Sequence, residues 1–128
     1  MSRPMPDDFY NEPKLIRGGL AVDDRGELAF CNDFQFAGIK RFYLVRNHQK
    51  GFVRAWHAHK NEHKFIGCLV GAAKVGAVHI KAGDDWEKPP QGLPTQTFVL
   101  SDSQPGILHI PAGWANGWMS LADDTLMA

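Results

Sequence analysis

Glycine and proline punctuate this chain from end to end: thirteen glycines and eight prolines are spread over its 128 residues rather than gathered in one tail. Each marks a point where a regular element is readily broken or turned. The runs between them are short and apolar-rich: "FVRAWHAH", "KFIGCLVG", "AKVGAVHIKAG", "TFVLSD", "ILHIPAGW" and "GWMSLA". About eight or nine strands of roughly 4 to 8 residues account for the pattern, and no window carries an apolar stripe at the helical spacing of about 3.6 residues. Short strands at this spacing predict an all-β antiparallel sandwich or barrel.

The length fits one domain spanning 1–128, with one core. Fourteen basic and fourteen acidic residues balance to a formal charge of zero, which gives no electrostatic reason to expect a nucleic-acid or membrane partner. An anionic ligand would have to be held by a local cluster. Cys31 and Cys68 lie apart, with no C-x-x-C spacing, and read as reduced thiols. The N-terminal "MSRPMPDDFYNEPK" has no apolar leader, and no run approaches the roughly 18 apolar residues of a membrane span. A soluble, cytoplasmic protein is the expectation, with residues 1–14 as an N-terminal arm.

Along the chain, "DDRGEL" at 23–28 reads as a turn leading into a strand through Leu28 and Phe30. "IKRFYLVRN" at 39–47 reads as a strand with Ile39, Arg41, Tyr43 and Val45 on one face and Lys40, Phe42, Leu44 and Arg46 on the other. Neither face is purely apolar, so one is expected to look into a polar cavity. "DDWEKPPQGLPTQ" is the longest loop, a candidate lid or surface excursion.

Chemistry concentrates in "VRAWHAHKNEHK", residues 53–64. In a strand His57 and His59 share a face and Trp56 and Ala58 the other, with Arg54 on the Trp56 side unless a bulge intervenes. Two imidazoles on one face are costly to bury without partners, so that face lines a cavity or meets solvent. Three readings stay open: a metal site, a proton-transfer site, or a polar strand edge. His48, His79 and His109 have no constellation around them and read as structural, and Trp114 and Trp118 read as core or interface residues.

"DDRGEL", "KRFYLVRN", "RAWHAHKNEHKFIGCLVGAAKVGAV" and "LHIPAGWANGWMSL" occur in the order found in cupin enzymes acting on nucleotide-linked 4-keto-6-deoxysugars. Over about residues 20–125 the chain resembles the dTDP-4-dehydrorhamnose 3,5-epimerases and the dTDP-4-keto-6-deoxyglucose 3,4-ketoisomerases. "RAWHAHK" is similar to the R-G-x-H of both groups and the H-A-H-K of the ketoisomerases, and "IPAGWANGW" to the I-P-x-G-F-A-H-G-F of the epimerases. The resemblance implies a cupin jelly-roll β-barrel, a homodimer, a nucleotide-sugar substrate, and metal-free proton transfer through an enolate with no cofactor.

Carried over residue by residue, the resemblance makes His57 the base, Lys64 the enolate-stabilising cation, Tyr43 a general acid and His59 a proton relay. Arg25 resembles an arginine that meets the nucleotide pyrophosphate. Arg41 and Arg54 are further substrate-binding candidates, suited by fork geometry to phosphate oxygens. Asn116 stands in the substrate site where the epimerase pattern has histidine, and Ala55 where it has glycine. The chain closes at "DDTLMA", where these families usually continue through another strand. No carboxylate presents itself to orient His57. The alternatives are a non-catalytic sugar- or nucleotide-binding cupin, and a metal-dependent cupin enzyme. The Gly51-to-His57 spacing matches the first motif of metal-binding cupins, and His57, His59 and His63 would be the ligands.

Overall fold

The computed structural model describes residues 11–80 and 94–128. The proposed arm up to residue 10 and most of the 84–96 loop lie outside the described residues. Eleven strands are present among those described: β1 (Lys14–Arg17), β2 (Gly19–Asp23), β3 (Gly26–Phe30), β4 (Val45–Asn47), β5 (Val53–Ala58), β6 (Lys64–Val70), β7 (Ala72–His79), β8 (Gln96–Ser101), β9 (Gly106–Ile110), β10 (Trp114–Ser120) and β11 (Thr125–Met127). The count exceeds the sequence expectation because β1, β4 and β11 are only three or four residues long, too short to leave an alternation pattern. Among the described residues there is no helix, and so none long and apolar enough to cross a membrane.

The strands form a five-stranded sheet in the order β1-β9-β6-β11-β4 and a four-stranded sheet in the order β5-β10-β7-β8, with β2 and β3 as a separate hairpin. All pairings are antiparallel. The two sheets stack face to face as a jelly-roll sandwich, the cupin architecture expected. Alternation sorts their side chains. Leu108 and Ile110 of β9, Val75 and Ala77 of β7, Leu100 of β8, Trp114 and Trp118 of β10 and Met127 of β11 point inward into one core. Leu15, Val45, Ile66 and Phe98 pack against it. Both tryptophans are thus core residues, as the sequence suggested.

The β6–β7 hairpin turns on a single residue, Gly71, at φ 87°, a conformation that costs a residue with a Cβ. A Cβ there would also stand 2.7 Å from Thr125 Oγ1. The glycine therefore lets the hairpin tuck against β11.

Residues 39–44 depart from the expected strand. Only Val45–Asn47 is extended and paired, with β11, while 40–44 is irregular. A strand needs a neighbour for its backbone groups, and among the described residues the alternation in "IKRFYL" meets none. Phe42, Tyr43 and Leu44 are accordingly exposed. Outside the five-stranded sheet the preceding segment does pack: Phe34 meets Phe36 and Phe65 edge-on, and Phe65 stacks on His109.

Leu108 is fully buried at the centre of the sandwich. Leu108→Ala is expected to destabilise the fold by about 2–5 kcal/mol, transfer and cavity contributions together. Chemical denaturation with an unchanged m-value is the measurement that checks it.

Candidate active site

The inner face of the four-stranded sheet changes from apolar to polar towards one end, and the register shows how. On β10, Asn116 stands opposite His57 of β5 and Ala77 of β7. Trp118 stands opposite Arg54 and Val75. Between those two rows the register slips, so that Ala55 and Trp56 together face the single residue Gly117. This is the bulge on which the side of Arg54 depended. It carries Arg54 onto the same face as His57 and turns Trp56 outward over Gly76.

Gly117 allows the bulge to approach: a Cβ there would lie 2.4 Å from the Ala55 Cβ and 3.1 Å from the Arg54 carbonyl oxygen. The ladder continues past the strand end, with the Gly113 N–H donating to the His59 carbonyl at 2.9 Å. His59 follows the end of β5 at this mouth, beside the outermost row of Trp114 and His79, in which His79 stacks on Trp114 with ring centroids 4.8 Å apart. The inner face thus reads, from mouth to core, Trp114–His79, then His57–Asn116–Ala77, then Arg54–Trp118–Val75.

Lys64 reaches this face from the opposite sheet. It stands at the start of β6, paired with Ile110, and its Nζ donates to Asn116 Oδ1 at 3.4 Å. Burial pushes its pKa below the ordinary 10.5; Glu62 opposes the shift and Arg41 adds to it. Asn116 is itself buried, at 4% exposure, so the amide oxygen and the ammonium answer each other's desolvation.

Deeper in, Arg54 Nε donates to Asn47 Oδ1 at 2.7 Å. Asn47 Nδ2 donates in turn to the Phe52 carbonyl at 3.0 Å and contacts Ser120 Oγ at 3.4 Å. This network ties β5 to β4, the two sheet edges that flank the opening. It leaves Arg54 anchored through Nε and partly exposed. His57 is exposed as well, so on a single chain the polar face is open along β5.

The remaining candidates fall elsewhere. The Arg25 guanidinium grips Asp23 of its own turn, Nη2 to Oδ2 at 2.6 Å, with its side chain 86% exposed at the tip of the β2–β3 hairpin. That contact holds the Asp23 carboxyl below its usual range. Arg41 Nη2 lies 3.4 Å from Glu62 Oε2 and so is engaged by a carboxylate. Tyr43 is exposed in the irregular segment, and no hydrogen bond among the described residues ties it to His57 or Lys64.

His63 turns away from the other two histidines of its motif. Its Nδ1 lies 2.9 Å from Nε2 of His109, and the two rings stack on the outer side of the five-stranded sheet. The three-histidine ligand set therefore does not converge, and among the described residues no group of three or more His, Cys, Asp or Glu side chains is placed to hold a metal ion. His109, fully buried, keeps the structural role expected of it.

Two contributors escaped the sequence reading. Asn47 shows no motif. Glu62 was legible only as a carboxylate three residues beyond His59, and its Oε2 indeed lies 3.6 Å from His59 Nδ1.

A family model described as "FdtA: WxcM-like, C-terminal" matches residues 11–124. No curated protein matches the sequence. Among solved structures, the fold is similar to dTDP-4-dehydrorhamnose 3,5-epimerase from Bacillus anthracis with TDP and PPi bound, at TM-score 0.69 and 21% identity, covering 93% of this chain and 71% of that one. It is similar to the rmlC epimerase of Mycobacterium tuberculosis at TM-score 0.70 and 19% identity, covering 99% of this chain and 65% of that one. It also resembles a double mutant of the QdtA 3,4-ketoisomerase from Thermoanaerobacterium thermosaccharolyticum in complex with TDP, at TM-score 0.64 and 23% identity, with coverage of 91% and 76%. At these identities the likeness is one of fold.

The lowered pKa of Lys64 makes a signed prediction. The unfolded chain holds this proton up to its ordinary value of 10.5, whereas the folded chain releases it earlier, so this group makes stability rise with pH across that window. In Lys64→Met the contribution is gone. The stability of the variant relative to the parent is therefore expected to be greatest at neutral pH and to decline as pH rises towards 10.5, read by denaturant unfolding at a series of pH values.

Proposed function

The chain belongs to the FdtA, WxcM-like C-terminal family, which matches its residues 11–124, and on that premise we propose that it is an isomerase of a nucleotide-linked 4-keto-6-deoxysugar. The reaction we propose is proton transfer next to the ketone, through an enolate. The observation that carries this reading is the Lys64–Asn116 contact, which holds a half-buried ammonium on the inner face beside the residue that pairs with His57.

The chemistry needs a base at the carbon next to the ketone, and an imidazole suits that task near neutral pH. It also needs a fixed positive group where the enolate oxygen develops charge, usually a large part of the barrier reduction. His57 supplies the first and Lys64 the second, from opposite sheets. His59, at the mouth, relays the proton, and Tyr43 is the general acid once its segment closes over the ligand. Arg54, oriented by Asn47 through Nε and by the Arg46 carbonyl through Nη2 at 3.4 Å, keeps Nη1 for sugar or phosphate oxygens, with Asn116, Arg41 and Arg25 as further substrate contacts. Two of the similar structures hold TDP, which supports a thymidine-diphosphate-linked ligand.

The motifs divide over regiochemistry: "HAHK" favours 3,4-ketoisomerase, while Lys64 and "IPAGWANGW" favour 3,5-epimerase. Incubation with dTDP-4-keto-6-deoxyglucose in heavy water, followed by NMR, separates them. Deuterium at C3 and C5 with the ketone retained at C4 means epimerase; a ketone moved to C3 means ketoisomerase. Binding with no exchange would overturn the isomerase reading in favour of a sugar-binding module, the reading that the open, exposed His57 favours. With turnover in hand, His57→Ala is expected to lower kcat by about 100-fold or more, and a loss under about tenfold would remove His57 from the role of base.

We also propose that the working unit is a homodimer. The β2–β3 hairpin exposes Val22 at 73% and Leu28 at 63%, and its two strands pair only with each other among the described residues. β5, which carries His57, is a sheet edge beside exposed Val53 and Trp56. Edges and apolar patches of this kind are normally covered, and a second copy would close the open side of the site and bring Arg25 to it. Light scattering is expected to give a dimer for the parent chain and a folded monomer for Val22→Asp combined with Leu28→Asp; a monomeric parent would end the proposal.

A further inference from the structure

Among the described residues His57, the proposed base, has no carboxylate partner, but its neighbour His59 does. Glu62 sits in the turn between β5 and β6, and one oxygen, Oε2, serves two groups: His59 Nδ1 at 3.6 Å and Arg41 Nη2 at 3.4 Å. From this geometry we infer that Glu62 is a positioning residue for His59, the pair forming the proton-handling dyad of the site. The inference rests on the isomerase reading above and deepens it.

Each ring nitrogen has a distinct part. A carboxylate facing Nδ1 favours the tautomer with the proton on Nδ1 and the lone pair on Nε2, and it steadies the imidazolium when Nε2 accepts a proton. His59 follows the end of β5 at the mouth, next to the His57–Asn116 row, where it passes a proton between His57 and solvent. The second ring nitrogen faces away from Glu62, as a proton acceptor must. The 3.6 Å separation exceeds a hydrogen bond slightly, and such contacts in ligand-free sites commonly tighten when substrate is bound.

Arg41 sets the direction of that tightening. Its guanidinium now shares the Glu62 oxygen, and a diphosphate arriving at the mouth competes for it, since guanidinium prefers a bidentate phosphate partner. Release of Arg41 leaves the carboxylate to His59 alone, so ligand binding itself would complete the dyad. The other ionisable groups at this end are Lys60 on the same turn, Lys64 on β6, and His57 and His79 in the adjoining rows. Lys64 is committed to Asn116.

Glu62 is 57% exposed, so Glu62→Ala should fold normally. Long-range proton–nitrogen correlation spectra of histidine-labelled protein, at a pH where the rings are neutral and with His59→Gln to assign the signal, read the tautomer without any need for turnover. The expected result is the Nδ1–H form of His59 in the parent with thymidine diphosphate bound, and a shift towards the Nε2–H form in Glu62→Ala. Alongside it, kcat should fall about tenfold or more, a fraction of the roughly 10²–10⁴ that a general base supplies, while Glu62→Asp recovers most of the loss. Thymidine diphosphate should bind Glu62→Ala as tightly as the parent or more so, because Arg41 is released.

An unchanged tautomer, a kcat within about twofold of the parent, or thymidine diphosphate affinity weakened more than about fivefold would each overturn the inference. A parent that turns over no 4-ketosugar yet shows the tautomer shift would support the positioning of His59 and count against the isomerase reading alone.

Discussion

Two residues of β5 stand opposite one residue of β10, and the polar face depends on that mismatch. With regular pairing Arg54 would share the outer face with Trp56, and the inner face of β5 would carry alanine at 55 beside His57. The extra residue re-phases the strand, so that Arg54 and His57 both point inward while Trp56 covers the outside of the sheet. The bulge is tolerated because Gly117 has no Cβ, leaving the Ala55 Cβ and the Arg54 carbonyl room that any other residue would occupy. A backbone vacancy on one strand thus decides the side-chain composition of the next, the usual way in which bulges re-aim functional groups.

The sandwich then meets the cost of burying those groups by distance from the core. The buried polar residues that line this face, Asn47, Ser120 and Asn116, are neutral, at 3%, 0% and 4% exposure, and are satisfied by one another, by backbone carbonyls, or by a cation reaching inward. The charged groups that they serve, Arg54 and Lys64, keep one end towards solvent. Such an arrangement orients cations without stranding them, since a buried neutral amide with a partner costs far less than an unpaired charge. Apolar packing of Leu108, Val75 and Trp118 below fixes the strands, and the polar groups inherit positions set by that packing.

How much of this the sequence disclosed follows from which interactions are local. Alternation marked β5 and β6 as strands, and the residues of "DDRGEL" foretold the β2–β3 turn at Asp23–Gly26, because both depend on adjacent residues. The same alternation misled at 39–44, where a strand-like pattern finds no neighbouring strand among the described residues, and it was silent about β11, three residues whose pairing joins β4 to β6 in the five-stranded sheet. The side on which Arg54 falls was conditional on a bulge, and the bulge is set by a glycine on another strand. Glu62 was visible as a carboxylate at the wrong spacing for a metal motif; that it faces His59 and Arg41 required the turn between β5 and β6 and the path of the 40–44 segment, neither of which leaves a periodic signal. His63, at the end of the motif, points outward to His109 because strand β6 begins immediately after it and gives Lys64, one residue on, the inner face.

Asn116 is the remaining departure from the pattern that the chain resembles, and its chemistry is informative. An imidazole at this position would itself titrate, and a proton there would set a second cation against the Lys64 ammonium in a half-desolvated place, where like charges repel more strongly than in water. An amide cannot acquire that charge. Its oxygen accepts from Lys64 whatever the pH, so the ammonium keeps a partner that never turns into a competitor. In the reaction proposed above, the exchange of imidazole for amide leaves His57 as the one imidazole of its row and gives the proton relay to His59 at the mouth, where the side chain meets solvent on one side and the Glu62 carboxylate on the other. On that reading the neutral residue in the middle row and the carboxylate at the rim are two halves of one arrangement: the cation is held inside, and the proton traffic is kept at the entrance.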